Sequence, residues 1–122
     1  MILFNRFIKI GFRKRFVIKK AKGIQLLNVT DINLIEASGD FCIVTDNSGK
    51  RHTISQTLGS IFLQLNHEKF FKINRSEIVG IDAIENIENH FKNRLLISIK
   101  NHKEKVMTSS STTSDFRKWL EN

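Results

Sequence analysis

Three polar residues in a row, Asn74-Arg75-Ser76, interrupt the apolar stretch from Phe70 to Ile87. Arginine presents a planar fork of N–H donors that stays charged, so it can grip a guanine edge or a phosphate with paired hydrogen bonds. Asparagine sets a donor beside an acceptor, the pattern that suits adenine, and serine hydroxyls donate to phosphate oxygens. Two readings of the triplet are open: a site presented at the end of a strand, or a polar turn with a solvated arginine. A second polar cluster, Ser109 to Ser114, is an unbroken run of hydroxyl residues.

Catalytic and metal chemistry are poorly provided for. His52, His67, His90 and His102 all fall near expected turns or strand ends, and none has a second ligand at metal spacing. All four read as solvated surface side chains. Gly39, Gly49, Gly59 and Gly80 stand alone, so no phosphate-cradling loop is present. Ser109, Ser110 and Ser111 have no histidine base nearby in the chain. Glu85 and Glu88 flank Ile87 and read as solvated. The expectation is a protein that is not an enzyme and carries no metal and no cofactor.

The chain of 122 residues is long enough for one domain with its own core. Cys42, the single cysteine, lies between apolar neighbours and reads as a small buried hydrophobe of a reducing compartment, which points to the cytoplasm. No apolar run approaches the roughly 18 residues of a membrane span, and the start lacks the features of a secretory signal. The net charge is +8, unevenly placed. Residues 1–22 hold eight cations and no acid, whereas residues 23–122 hold twelve of each. A basic leading segment on a neutral body suits a polyanion: nucleic acid or, less favoured, an anionic membrane surface.

Residues 1–14 are expected to form an amphipathic basic helix or linker, and residues 15–122 the folded domain. Drawn as a helix, Leu3, Phe4, Phe7, Ile8, Ile10 and Phe12 share a face opposite Arg6, Lys9 and Arg13. That segment could dock on this domain or a partner, link to an upstream domain, or lie on a membrane. From Phe16 the period becomes that of strands. Strands are expected at Phe16–Lys20, Ile24–Asn28, Asn33–Ala37, Phe41–Thr45, Arg51–Ile54, Leu95–Ile99 and Lys105–Thr108. One more opens at Phe70 and runs into Asn74. Asp46-Asn47-Ser48-Gly49-Lys50 is a hairpin signal, since asparagine and glycine tolerate positive φ. Leu58, Ile61, Phe62 and Leu65 mark a helix with Thr57 as its N-cap. Apolar residues then recur at Ile81, Ile84 and Ile87, followed by an expected polar loop. A closing helical turn puts Phe116, Trp119 and Leu120 on one face. The class is mostly β with short helices.

This order of pieces resembles the LytTR DNA-binding domain, the output module of LytR/AlgR-type bacterial response regulators. Asp31-Ile32 followed by Leu34-Ile35-Glu36-Ala37-Ser38-Gly39-Asp40-Phe41 is similar to the family's opening motif. Thr57-Leu58 through Leu65 resembles its helix. Phe70, Phe71, Ile73, Arg75-Ser76, Ile78-Val79-Gly80 and Ile84 resemble its "F.R.HRS.IVN...I" segment, and Ser109 stands seven residues before Phe116, as in the family. The resemblance implies an elongated antiparallel β-sheet or sandwich of about ten strands with one or two short helices. It implies a transcriptional regulator of a two-component system that reads successive major grooves of double-stranded DNA, at direct-repeat or paired sites. Asp40 and Phe41 would sit in a first contact loop, Asn74, Arg75 and Ser76 in a second, and Ser109, Ser110 and Ser111 in a third. Lys19, Lys20 and Lys22 would add phosphate contacts.

The chain departs from the family at three of these positions. Asn74 stands where histidine is frequent, Phe41 where tyrosine is, and Ser110 where arginine is. Lys103 and Lys105 are candidates to replace the missing cation. A homodimer on DNA and an upstream receiver or sensor partner are further implications. The family's receiver domain lies outside these residues, so the chain is either a piece of a longer regulator or a stand-alone module. The alternative function is a membrane-associated or protein-docking β-module anchored by residues 1–14.

Overall fold

The structure, a computed structural model, describes residues 11–122. The expected helix or linker over residues 1–14 falls largely outside the described residues. Phe12 to Lys14 is irregular chain: the Arg13 N–H donates to the Gln64 carbonyl (2.8 Å), and the guanidinium lies 4.8 Å from the centre of the Phe16 ring.

Ten strands follow in three antiparallel sheets. β1 (Arg15–Lys20) and β2 (Gly23–Asn28) form a two-stranded hairpin. A five-stranded sheet in the order β5-β4-β3-β7-β6 contains β3 (Ile32–Ser38), β4 (Phe41–Asp46), β5 (Arg51–Ile54), β6 (Phe70–Asn74) and β7 (Glu77–Gly80). The third sheet has the order β10-β9-β8, from β8 (Ile84–His90), β9 (Arg94–Ile99) and β10 (Val106–Met107). Helix α1 (Leu58–Leu63) precedes β6, and α2 (Thr113–Leu120) closes the chain. Thr57 caps α1, its hydroxyl accepting the Ser60 N–H at 3.2 Å.

The five-stranded sheet is the middle layer, because its central strands are apolar on both faces. Ile35, Cys42, Val44, Ile54 and Ile78 face one core with Phe16, Ile18 and Leu27 of the hairpin and Leu58 and Ile61 of α1. Leu34, Ile73 and Val79 face a second core with Leu95, Ile97, Ile99 and Val106 of the third sheet and Phe116 of α2. Cys42 is fully buried, and burial pushes its thiol pKa up. Gly80 lets two strands close: a Cβ there would stand 2.9 Å from the Ile32 carbonyl oxygen.

Two expectations are corrected. The polar loop foreseen after Ile87 is shorter than expected, since β8 runs on to His90 and only Phe91-Lys92-Asn93 joins it to β9. A register shift between Ile84 and Asn86 inserts an extra residue, so Ile84 and Ile87 both reach the second core three positions apart. His52, read as a solvated histidine, is buried in β5 with its Nε2 2.8 Å from Asp46 Oδ2. Asp46 also accepts from Ser48 and Lys50 in the β4–β5 turn. Burial pushes the Asp46 carboxyl up, but the hydrogen bonds from His52, Ser48 and Lys50 outweigh it and set its pKa at about 2.

Candidate nucleic-acid interface

The β3–β4 and β6–β7 turns lie at one end of the five-stranded sheet, because β3 pairs antiparallel with both β4 and β7. The first turn is Ser38 to Phe41. Gly39 supplies the positive φ (+65°), Asp40 is exposed, and Phe41 keeps 38% of its surface in solvent. The second turn is Asn74 to Ser76, and the Ala37 N–H donates to its Ser76 carbonyl at 2.8 Å. This bond ties the two turns side by side.

Asn74 holds the second turn together. Its Oδ1 accepts from the Ser76 N–H (2.8 Å), while its Nδ2 donates to Glu77 Oε1 (2.9 Å) and to the Met107 carbonyl (2.8 Å). Both amide protons are therefore spent inside the protein, so the geometry does not favour the expected adenine contact. Arg75, between those anchors, is exposed and makes no ion pair or side-chain hydrogen bond with any described residue. Ser76 is exposed beside it.

The hydroxyl run is bound to the same turn. Both the Ser109 N–H (3.0 Å) and the Thr112 hydroxyl (2.6 Å) donate to the Ile73 carbonyl. Ser109 Oγ lies 2.9 Å from Thr112 Oγ1 and 3.3 Å from Ser111 Oγ. The Ser110 hydroxyl donates to the Lys92 carbonyl at 2.6 Å, so its proton is not free for a phosphate. Ser111 is exposed. The run then turns inward at Thr113, whose hydroxyl sits 2.8 Å from that of Thr108 at the start of α2.

The structure brings a fourth loop to this row, one that the sequence did not single out. Phe91-Lys92-Asn93 joins β8 to β9, with positive φ at Lys92 (60°) and Asn93 (56°). It is held by Ser110 and by the Thr113 hydroxyl, which donates to the Asn93 carbonyl at 2.7 Å. Its Phe91 is 64% exposed. The signal was present: Asn93 directly before an alternating strand is a turn residue. The Lys92 backbone thus lies against Ser110, and its side chain is exposed.

The other expected cations lie apart. Lys19, Lys20 and Lys22 are exposed at the tip of the β1–β2 hairpin, in a separate sheet. Among the described residues no hydrogen bond links that tip to the four loops. Lys105 is ion-paired with Glu88 at 2.7 Å. Lys103 is on the β9–β10 turn, which Asn101 ties to the β4–β5 turn through its 2.6 Å bond to the Asn47 carbonyl. That is the end of the sheet away from Arg75. A cavity of about 650 Å³ opens at that end as well, lined by Phe12, Val29, Ile32, Phe70 and Ile81, and none of the four loops lines it. No cluster of metal-ligating side chains occurs among the described residues.

Four loops on one edge of a β scaffold, with exposed hydroxyls and a guanidinium unpaired among the described residues, make a surface suited to nucleic acid. The family model for the LytTr DNA-binding domain matches residues 22–121. The chain belongs to that family, whose members are DNA-binding rather than catalytic domains. Among solved structures, it is similar to the LytTr DNA-binding domain of a Bacillus cereus protein described as a methyl-accepting/DNA response regulator. The two share 24% identity with a TM-score of 0.78, over 90% of this chain and 99% of that one. This likeness agrees in fold. Among curated proteins none matches. No helix of the described residues is long and apolar enough to cross a membrane.

Proposed function

We propose that the chain is a sequence-specific transcriptional regulator that sets the loops 38–41, 74–76 and 109–112 into successive major grooves. The observation that carries this reading is the exposed Arg75 side chain, unpaired among the described residues, on a turn fixed by Asn74. A hydrogen-bonded backbone with an exposed planar donor suits bidentate contact to guanine O6 and N7. Ser76 and Ser111, exposed on flanking positions, serve as phosphate donors that set register, and Lys92 joins them. Asp40 and Phe41 act at the first loop. Lys19, Lys20 and Lys22 add sequence-independent phosphate attraction. On this reading Asn74, Ser109 and Ser110 brace the contact loops. The target is a direct-repeat or paired site, bound by two copies in the cytoplasm under the control of a receiver or sensor partner.

The test is selection of duplexes from a random pool at controlled salt. Enrichment of a repeated motif supports the reading. Equal retention of all sequences would reject it.

A second reading rests on the outer face of the β1–β2 hairpin. Val17, Ile24 and Leu26 are 53%, 69% and 59% exposed there, beside Arg15 and Lys19. Such a face suits docking on a protein or an anionic membrane, together with residues 1–14. Co-sedimentation with anionic vesicles, with and without the substitutions Val17→Ser and Leu26→Ser, separates it from the first.

A further inference from the structure

Phe91 opens the β8–β9 loop with 64% of its surface in solvent, which makes it the most exposed large apolar side chain on the four-loop edge. Neither core of the described residues includes it. A single exposed apolar side chain is ordinary on a protein surface, so exposure alone decides nothing. Position, backbone and ring packing set this one apart.

The position follows from the third sheet. β9 runs from this loop to the turn at Asn101, which is bound to the β4–β5 turn at the far end of the middle sheet. Residues 91–93 therefore close the end at which Arg75 stands. The backbone is tied to the hydroxyl loop. Ser110 donates to the Lys92 carbonyl at 2.6 Å and Thr113 to the Asn93 carbonyl at 2.7 Å. The Ser109 N–H in turn donates to the Ile73 carbonyl, just ahead of the Arg75 turn. The ring leans on a neighbour: the Phe91 and His90 rings lie 4.4 Å apart between centroids, tilted by 38°. A side chain already packed on one neighbour has less freedom to lose when it meets a partner.

A phenyl ring offers neither a hydrogen-bond donor nor an acceptor, so it cannot read the polar pattern of a base edge. The major groove presents one apolar group, the C5-methyl of thymine, and phenylalanine is among the side chains suited to meet it. An apolar wedge between base steps belongs instead to the minor groove of a kinked duplex. We propose that Phe91 is a specificity-determining residue that packs on a thymine methyl in the groove entered by loop 109–112. This inference rests on the DNA-contact reading of the loop edge and adds a named base contact to it. Selectivity then has two sources of different chemistry: hydrogen bonds from Arg75 and apolar contact from Phe91.

The experiment uses a duplex that the wild-type chain selects from a random pool. Each thymine is replaced singly by deoxyuridine, which removes the methyl group and leaves the pairing intact. Anisotropy titrations compare wild type, Phe91→Ala and Phe91→Leu. At the contacted thymine, wild type should lose affinity by about fourfold, the factor for one buried methyl group. Phe91→Ala should bind the thymine and deoxyuridine duplexes equally at that position, and Phe91→Leu, which keeps an apolar body, should retain part of the preference. The deoxyuridine scan needs only the wild-type chain, so it stands apart from the folding of either variant. A wild-type chain indifferent to deoxyuridine at every thymine would overturn the proposal. So would a thymine preference that persists in Phe91→Ala, which would assign the methyl contact to another side chain such as Phe41. Uniform weakening in Phe91→Ala with an unchanged preference would place the ring on the sugar–phosphate wall and overturn base reading by it. A chain that enriches no motif would reject the DNA reading itself, whereas one that enriches a motif yet ignores its methyl groups rejects only the role of Phe91.

Discussion

Arg75 differs from its neighbours in having no side-chain partner among the described residues, and that sets its expected phenotype. Arg75→Ala should weaken binding to a selected duplex by about 1–3 kcal/mol and relax its sequence preference. Arg75→Lys should keep the charge and the salt dependence but not the selectivity, because an ammonium lacks the planar fork. Competition titrations with a scrambled duplex measure both. Arg75 could be singled out as a candidate from the sequence because a fixed cation in an apolar stretch is a local signal. The bracing roles of Asn74 and Ser110 could not, since the carbonyls they bind belong to Met107 and Lys92, far along the chain. His52 was misread for the same kind of reason: its burial depends on β4 and β5 closing over it. Asp46→Asn should cost about 1–3 kcal/mol at pH 7 by removing the charged partner of that buried ring. The folded-state pKa of Asp46, about 2, lies below its ordinary 3.8. Its contribution is therefore present above about pH 4 and fades as the pH falls through 2. Urea melts should show the wild-type advantage disappearing at the acid end.

Elements with clean alternation, such as Arg51–Ile54 and Leu95–Ile99, were legible because period two is a property of the strand alone. β8 was not. Its inserted residue shifts the apolar positions to a spacing of three, and only pairing with β9 reveals why. The start of α2 was hidden as well, since Thr113 and Ser114 read as part of a hydroxyl loop. Yet α2 is the element that fastens the loop edge to the core. Phe116 is fully buried against Phe71 and Trp119, and the Trp119 Nε1–H donates to the His67 carbonyl at 2.7 Å. Phe116→Ala should destabilise the fold by about 3–5 kcal/mol. The loss should show as a lower urea midpoint, with DNA affinity per folded molecule little changed.

At the scale of the whole molecule, the excess charge lies in residues 1–22, while the four loops belong to the neutral body. Affinity and selectivity should therefore separate. Replacing Lys19, Lys20 and Lys22 by glutamine should lower the slope of log affinity against log salt by up to about one unit per lysine that touches a phosphate. The preferred sequence should not change. A slope equal to that of wild type would remove the hairpin tip from the interface. The middle sheet has one more consequence. Cys42 is sealed at its heart, with no other thiol in the chain and burial disfavouring its thiolate. Alkylating reagents should reach it only in molecules whose central layer has come apart. Its labelling rate would then act as a clock for such openings, unperturbed by any probe added to the surface.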